Sequence, residues 1–235
     1  MIITLPCKGK WLPFDDQHDQ KQHVVPYGEG GNMKVDQRFI DWAAEQAASL
    51  LAPLGDRWLH VQGVVERACW VGQMFDEDDK FHLITAAYLH DIGYAPHVKE
   101  TGFHPLDGAC YVRSFGCERL ACLVAHHSEA RFEAALRGLS VALSTFPRER
   151  SAVADALTYC DMTTSPTGAH ISLKERASEV LCRYGDAAIV SQALRQLLPY
   201  ASLAVARTQK RLRTYGLAKV AASQLQVEDY ALENV

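Results

Sequence analysis

The dipeptide His90-Asp91 sets an imidazole beside a carboxylate at the end of an apolar run, Leu83-Ile84-Thr85-Ala86-Ala87-Tyr88-Leu89. Gly93 then lets the chain turn away. Ionisable groups carried into an apolar setting are costly unless they are paired or hold an ion. A cation shared by the two side chains is the simplest remedy, and the chain must then supply further ligands.

Helical phase selects the candidates. His90 follows Leu83, Ala86 and Ala87 at spacings of seven, four and three, on the buried stripe of its helix. Asp161 follows Ala154 and Leu157 in the same way and points inward, whereas Asp155 falls on another face. His60 flanks the stripe of Val61 and Val64. His126-His127 closes a segment carrying Leu120, Leu123 and Val124. Phase puts His127 over that stripe, and both rings can ligate if the helix end opens. His104, just before Pro105, stands at a helix start, where a side chain reaches toward a neighbour. A single buried histidine is most often a hydrogen-bonded core residue. Buried ionisable groups on several helices are instead explained together, by a shared metal centre. His18, His23, His82, His97 and His170 have no such supporting pattern, and the Asp16, His18 and His23 group reads as a solvated tail.

Imidazole and carboxylate ligands suit iron, manganese, cobalt, nickel or zinc, where an all-oxygen set would suit magnesium or calcium. One or two divalent transition metal ions are the expected cofactor. Such ions lower the pKa of bound water to roughly 7 and, as pairs roughly 3.5–4 Å apart, stabilise in-line displacement at phosphorus.

His60, His90-Asp91-Ile92-Gly93 and Asp161 resemble the H…HD…D signature of the HD-domain superfamily of metal-dependent phosphohydrolases. His104-Pro105 and His126-His127 resemble the extra histidines of its members with two-metal sites. The resemblance covers about residues 56–165 and is weaker in the Asp-Met-Thr-Thr-Ser-Pro-Thr-Gly stretch that starts at Asp161. It implies an all-α fold, an HD-domain helical bundle with the metal site in the helical core. It also implies a first metal on His60, His90, Asp91 and Asp161, and a second that Asp91 bridges to His104 and His126. His127 stays beside His126 because phase favours it. Asp91 and His90 would be the catalytic pair, with Asp91 orienting the attacking water. The HD-GYP phosphodiesterases differ, because Tyr94 stands where they carry lysine and Ser128-Glu129-Ala130-Arg131 follows where they carry Gly-Tyr-Pro.

The implied reaction is hydrolysis of a phosphate mono- or diester of a nucleotide or related small metabolite. Lys99 and Arg131, each near a ligand in sequence, are the candidate phosphate contacts, although surface pairing with Glu100 and Glu129 would also explain them. Two other readings share the ligand pattern: a di-iron oxygenase of HD type, and a nucleotide-sensing module without turnover.

The elements that must position these groups read as helices nearly throughout. Stripes of Phe39, Trp42, Ala43, Ala47 and Leu50, then of Trp58, Val61, Val65 and Ala68, precede the metal segment. Asp76-Glu77-Asp78-Asp79 reads as a helix cap with acids in the first turn. Further helices are expected at 148–163, 172–185, 187–198 and 200–214. Residues 1–33 read as an extension, 34–215 as one domain and 216–235 as a tail. With 48% hydrophobic and 22% charged residues, the 235-residue chain can bury a sizeable core. A net charge of −4 argues against a nucleic-acid partner. Seven scattered cysteines without a CxxC pair suit a reducing compartment. No run approaches the roughly 18 apolar residues of a membrane span. A cytoplasmic protein is expected, with no membrane partner and with a homo-oligomer left open.

Overall fold

The structure, a computed structural model, describes residues 33–217. The expected extension, except for Met33, and the expected tail, except for its first two residues, lie outside the described residues, as do His18 and His23. Among the described residues there are ten α-helices joined by short 3-10 turns, with one isolated bridge between Thr164 and His170 and no strand. The all-α expectation holds. No described helix is long and apolar enough to cross a membrane.

α1 (Met33–Leu51) buries Phe39, Ala43, Ala47 and Leu51, and stops at the Pro53 turn. α2 (Asp56–Val71) is buried on much of its circumference, His60 and Arg67 included. α3 (Glu77–Leu89) starts as its acids dictate: the Asp76 carboxylate accepts from Asp79 N at 2.9 Å, with Glu77, Asp78 and Asp79 in the first turn. It ends at His90. α4 (His104–Arg113) and α5 (Glu118–His126) pack on each other, and α3 lies against α1, α2, α5 and the later α8. Two short helices, α6 (Arg131–Leu136) and α7 (Ser140–Leu143), follow where sequence periodicity gives no signal.

α8 (Ala152–Met162) begins later than the expected 148 because Ser151 caps it, its Oγ accepting from Ala154 N. α9 (Leu173–Tyr184) opens with a capping box between Ser172 and Glu175. α10 (Ile189–Thr214) corrects the sequence reading, which breaks it at Pro199. The helix runs on through the proline because Leu197 and Ala201, on either side, are buried in one apolar cluster with Leu194, and that burial holds both halves on one axis.

Two apolar clusters result. The main one joins α1 to α5 and α8. The smaller one, Met162, Ala177, Val180, Leu194, Leu197 and Ala201, seats α9 and α10 against the end of α8. The metal-segment residues lie where these clusters meet.

Candidate metal centre

His90 and Asp91 follow the last residue of α3, and the chain reverses through a turn at Ile92–Tyr94. Gly93 is required there: a Cβ would lie 2.0 Å from the His104 carbonyl oxygen. That close approach brings the first residue of α4 beside Asp91. His104 Nε2 lies 3.3 Å from Asp91 Oδ1. On the other side, Asp91 Oδ2 is 3.5 Å from His90 Nε2 and 3.9 Å from His60 Nε2. The two oxygens of one carboxylate thus face two histidine groups. His60, His90 and Asp161 form the first cluster, and Asp91, His104 and His127 form the second.

Three of the four rings are oriented by the backbone. His60 Nδ1 donates to Ser165 O at 3.0 Å, His90 Nδ1 to Ala87 O at 2.8 Å and His127 Nδ1 to Val124 O at 2.6 Å. A carbonyl only accepts, so each Nδ1 carries a proton, and in its neutral form each ring presents its Nε2 lone pair inward. What those lone pairs meet is more acceptor. His60 Nε2 is 3.0 Å from Asp161 Oδ1, and His90 Nε2 is fully buried with no hydrogen-bond partner. His104 Nε2 and His127 Nε2 approach to 3.2 Å. Acceptors packed against acceptors inside a protein are unstable unless a cation lies among them. The donor set therefore fits divalent transition metals, with imidazoles held from behind as in established metal sites.

The electrostatics keep these groups in ligand form. Burial favours neutral imidazole and lowers the pKa of His90, and it brings His104 down to about 4 despite the neighbouring Asp91. Burial alone would raise the Asp91 carboxyl, but Arg57, His90 and His104 outweigh it and hold the group well below the usual range. Asp161 is likewise held low, by His60, His90 and His127 against its burial.

The loop after α8 wires His60. Its Gly168 packs on α2 so closely that a Cβ on Gly63 would stand 2.3 Å from the Gly168 oxygen. This contact presents the Ser165 carbonyl to His60. At the end of α5 the chain leaves helical geometry, with Ser128 at φ 48° and Glu129 at φ 58°. Left-handed conformation costs a non-glycine residue about 1–2 kcal/mol. Here it aims the Ser128 hydroxyl at Asp161, to which it donates a short hydrogen bond.

The structure brings together six of the sequence candidates: His60, His90, Asp91, His104, His127 and Asp161. His126 stands apart, because its Nε2–H donates to Phe146 O at 2.7 Å. The helix ends at His126, so the next residue swings inward instead. Lys99 is exposed, and Arg131 pairs with Glu129 and stacks on Phe132 and Tyr200; neither lines the cavity over the metal segment. Asp155, read as the poorer candidate, pairs with Arg207.

That cavity, about 120 Å³, is floored by Asp91, His104, His127 and Asp161. The cations lining it are Arg57, Arg176 and Arg183, which sequence reasoning missed. Arg57 had a signal, standing one helical turn before His60 on the same face. It donates to Asp91 Oδ2 at 2.6 Å and lies 4.0 Å over the Tyr94 ring, which stacks on His104.

Comparison with known families gives a match to the family described as HD domain over residues 57–162. No curated protein and no solved structure matches the chain. The matched segment opens at Arg57 and closes one residue past Asp161, so all six clustered residues fall within it. Residues 57–162 thus match the HD domain family, and the His and Asp residues clustered within them fit an HD-type metal site.

Proposed function

We propose that the protein is a metal-dependent phosphohydrolase that cleaves a phosphate mono- or diester of a nucleotide or related small metabolite. One observation carries the reading: buried, backbone-anchored imidazoles turn their lone pairs on carboxylate oxygens, under a cavity lined with arginines. His60, His90, Asp91 and Asp161 would hold one ion, and Asp91, His104 and His127 a second. Divalent ions so held supply Lewis acidity toward phosphoryl oxygens and a nucleophilic water at neutral pH.

The chain's own groups do the rest. Asp91, ionised and pinned by Arg57, offers one oxygen to each cluster and fixes their separation. Ser128 orients Asp161, and the Ser165 carbonyl orients His60. Arg57 is placed to meet the negative charge of a phosphoryl group above Asp91, as guanidinium groups suit phosphate oxygens. The apolar wall of α9 and α10 limits bulk water over the reacting atoms.

Metal analysis of freshly purified protein, followed by an anaerobic screen of phosphate esters with that metal restored, tests the reading. Phosphate release without dioxygen is the expected result. Strict dioxygen dependence with bound iron would assign oxygenase chemistry instead, and tight nucleotide binding without turnover would assign a sensor. Asp91→Ala should lose metal and lower turnover on the order of 100-fold or more while keeping its helical content.

A further inference from the structure

Arg176 lies on α9, outside the segment matched by the family, and only 8% of its surface is exposed. A guanidinium buried to that degree normally has all its donors occupied. Arg176 does not, because its Nε has no partner. One Nη pairs with Glu179, and Arg183 pairs with that same carboxylate. Two positive charges therefore share one negative charge. Residues 176, 179 and 183 follow helical spacing, so all three occupy one face of α9.

That face meets Arg57. A second, smaller cavity of about 30 Å³ adjoins His60, and Arg57, Arg176 and Arg183 line both it and the larger one. Three guanidinium groups from α2 and α9 thus converge beside the metal segment. The larger cavity also has an apolar wall of Met162, Val180, Val190, Ala193, Leu194 and Leu197, continuous with the smaller apolar cluster, and its remaining lining includes Glu133, Tyr94 and Tyr184. Among the lining residues there is no asparagine or glutamine amide of the kind that reads the edge of a nucleobase.

We infer that Arg57, Arg176 and Arg183 form the anion subsite of this cavity, and that its apolar wall selects organic phosphates with a compact hydrophobic body over nucleotides. The inference rests on the phosphohydrolase reading and narrows its substrate class. Arg176 is a specificity residue, its guanidinium lining both cavities beside that of Arg57. Arg183 reinforces it from the rim. The wall formed by Leu194 and Leu197 takes the ester's carbon skeleton out of water.

The test uses the full chain loaded with metal. Binding of phenyl phosphate, inorganic phosphate and adenosine monophosphate is measured by calorimetry, and turnover of the two esters by phosphate release. Phenyl phosphate should bind about tenfold more tightly than adenosine monophosphate, since leaving even one polar group of the base or ribose unpaired against the apolar wall costs about that much. Arg176→Gln should weaken both phenyl phosphate and inorganic phosphate by about tenfold, with melting temperature and metal content retained. Arg183→Gln, at an exposed position where folding is not at stake, should weaken both in the same direction. Leu194→Ala, compared among preparations that retain melting temperature and metal content, should weaken phenyl phosphate more than inorganic phosphate. Binding that follows this pattern without any turnover would uphold the subsite and overturn the hydrolase reading. Turnover with equal affinity for the two esters, or unaltered by Arg176→Gln and Arg183→Gln, would overturn the subsite and leave the hydrolase reading standing.

Discussion

Adjacent histidines at the end of α5 have opposite fates, and the difference lies in one backbone turn. His126 is the last helical residue and donates to Phe146 O, so its ring belongs to the scaffold. His127 has ψ 145°, outside the helix, and its ring turns toward Asp91 and His104. His127→Ala should therefore remove about one metal equivalent, since the second cluster keeps only His104 and a shared carboxylate. His126→Ala should keep the metal and cost about 1 kcal/mol, the worth of one hydrogen bond. Metal content by mass spectrometry separates the two, and equal metal loss in both variants would refute the assignment. The phase of Leu120, Leu123 and Val124 already pointed to His127 in the sequence. The same kind of phase located His90 and Asp161. Arg176 and Arg183 were not legible, because a guanidinium on a polar helix face looks solvated until the fold brings it to the same cavity as Arg57 and His60. Lys99 and Arg131 misled for the converse reason. Nearness to a ligand in sequence says nothing of direction once a turn intervenes, and both side chains point elsewhere.

At the scale of elements, the metal segment depends on two contacts that exclude a β-carbon. Gly93 lets α4 lie against the turn after α3, and Gly63 lets the Gly168 loop lie against α2. In the sequence Gly93 was legible as a turn, but Gly63, mid-helix, was not. Its need appears only when residues about a hundred positions later come to rest on it. Gly63→Ala would drive a methyl group into backbone that cannot flex like a side-chain tip. Overpacking of this kind costs about 1–3 kcal/mol. It should also loosen metal binding, because the displaced loop carries the carbonyl that orients His60. Gly116→Ala is the matched control: φ is 80° but there is open space around it. It should cost about 1 kcal/mol in backbone strain and leave metal affinity unchanged. Urea unfolding and metal titration of both variants check the pair. Equal metal affinity in Gly63→Ala and the parent would show that the loop contact does not support the site. The continuity of α10 through Pro199 was hidden in a similar way, since local propensity predicts a break and only the tertiary cluster overrides it.

For the whole molecule, the buried site couples stability to pH with a definite sign. His90 and His104 are depressed by burial, the latter to about 4, against roughly 6.5 for an unfolded histidine. Below pH 6.5 the unfolded chain takes up protons at these positions and the folded chain does not. Acid therefore favours unfolding, and the associated stability is lost as pH falls from 6.5 toward 4. Asp91 and Asp161 act in the same direction at lower pH, because their depressed values confer stability above the unfolded carboxylate range that disappears as the folded groups titrate. In the metal-free protein His104 alone should lower stability on the order of 2 kcal/mol between pH 7.5 and pH 5, from 1.5 units at 1.36 kcal/mol each. The side chain is 17% exposed, so solvent screening takes little from that figure. Metal acts the other way at pH 7.5, adding about 2.7 kcal/mol at a hundredfold excess over its dissociation constant, because the unfolded chain has no assembled site. Urea unfolding of chelated full-length protein at the two pH values measures the slope. A midpoint that stays constant or rises on acidification would mean the imidazoles are already protonated in the fold, and a protonated ring cannot offer Nε2 to a metal.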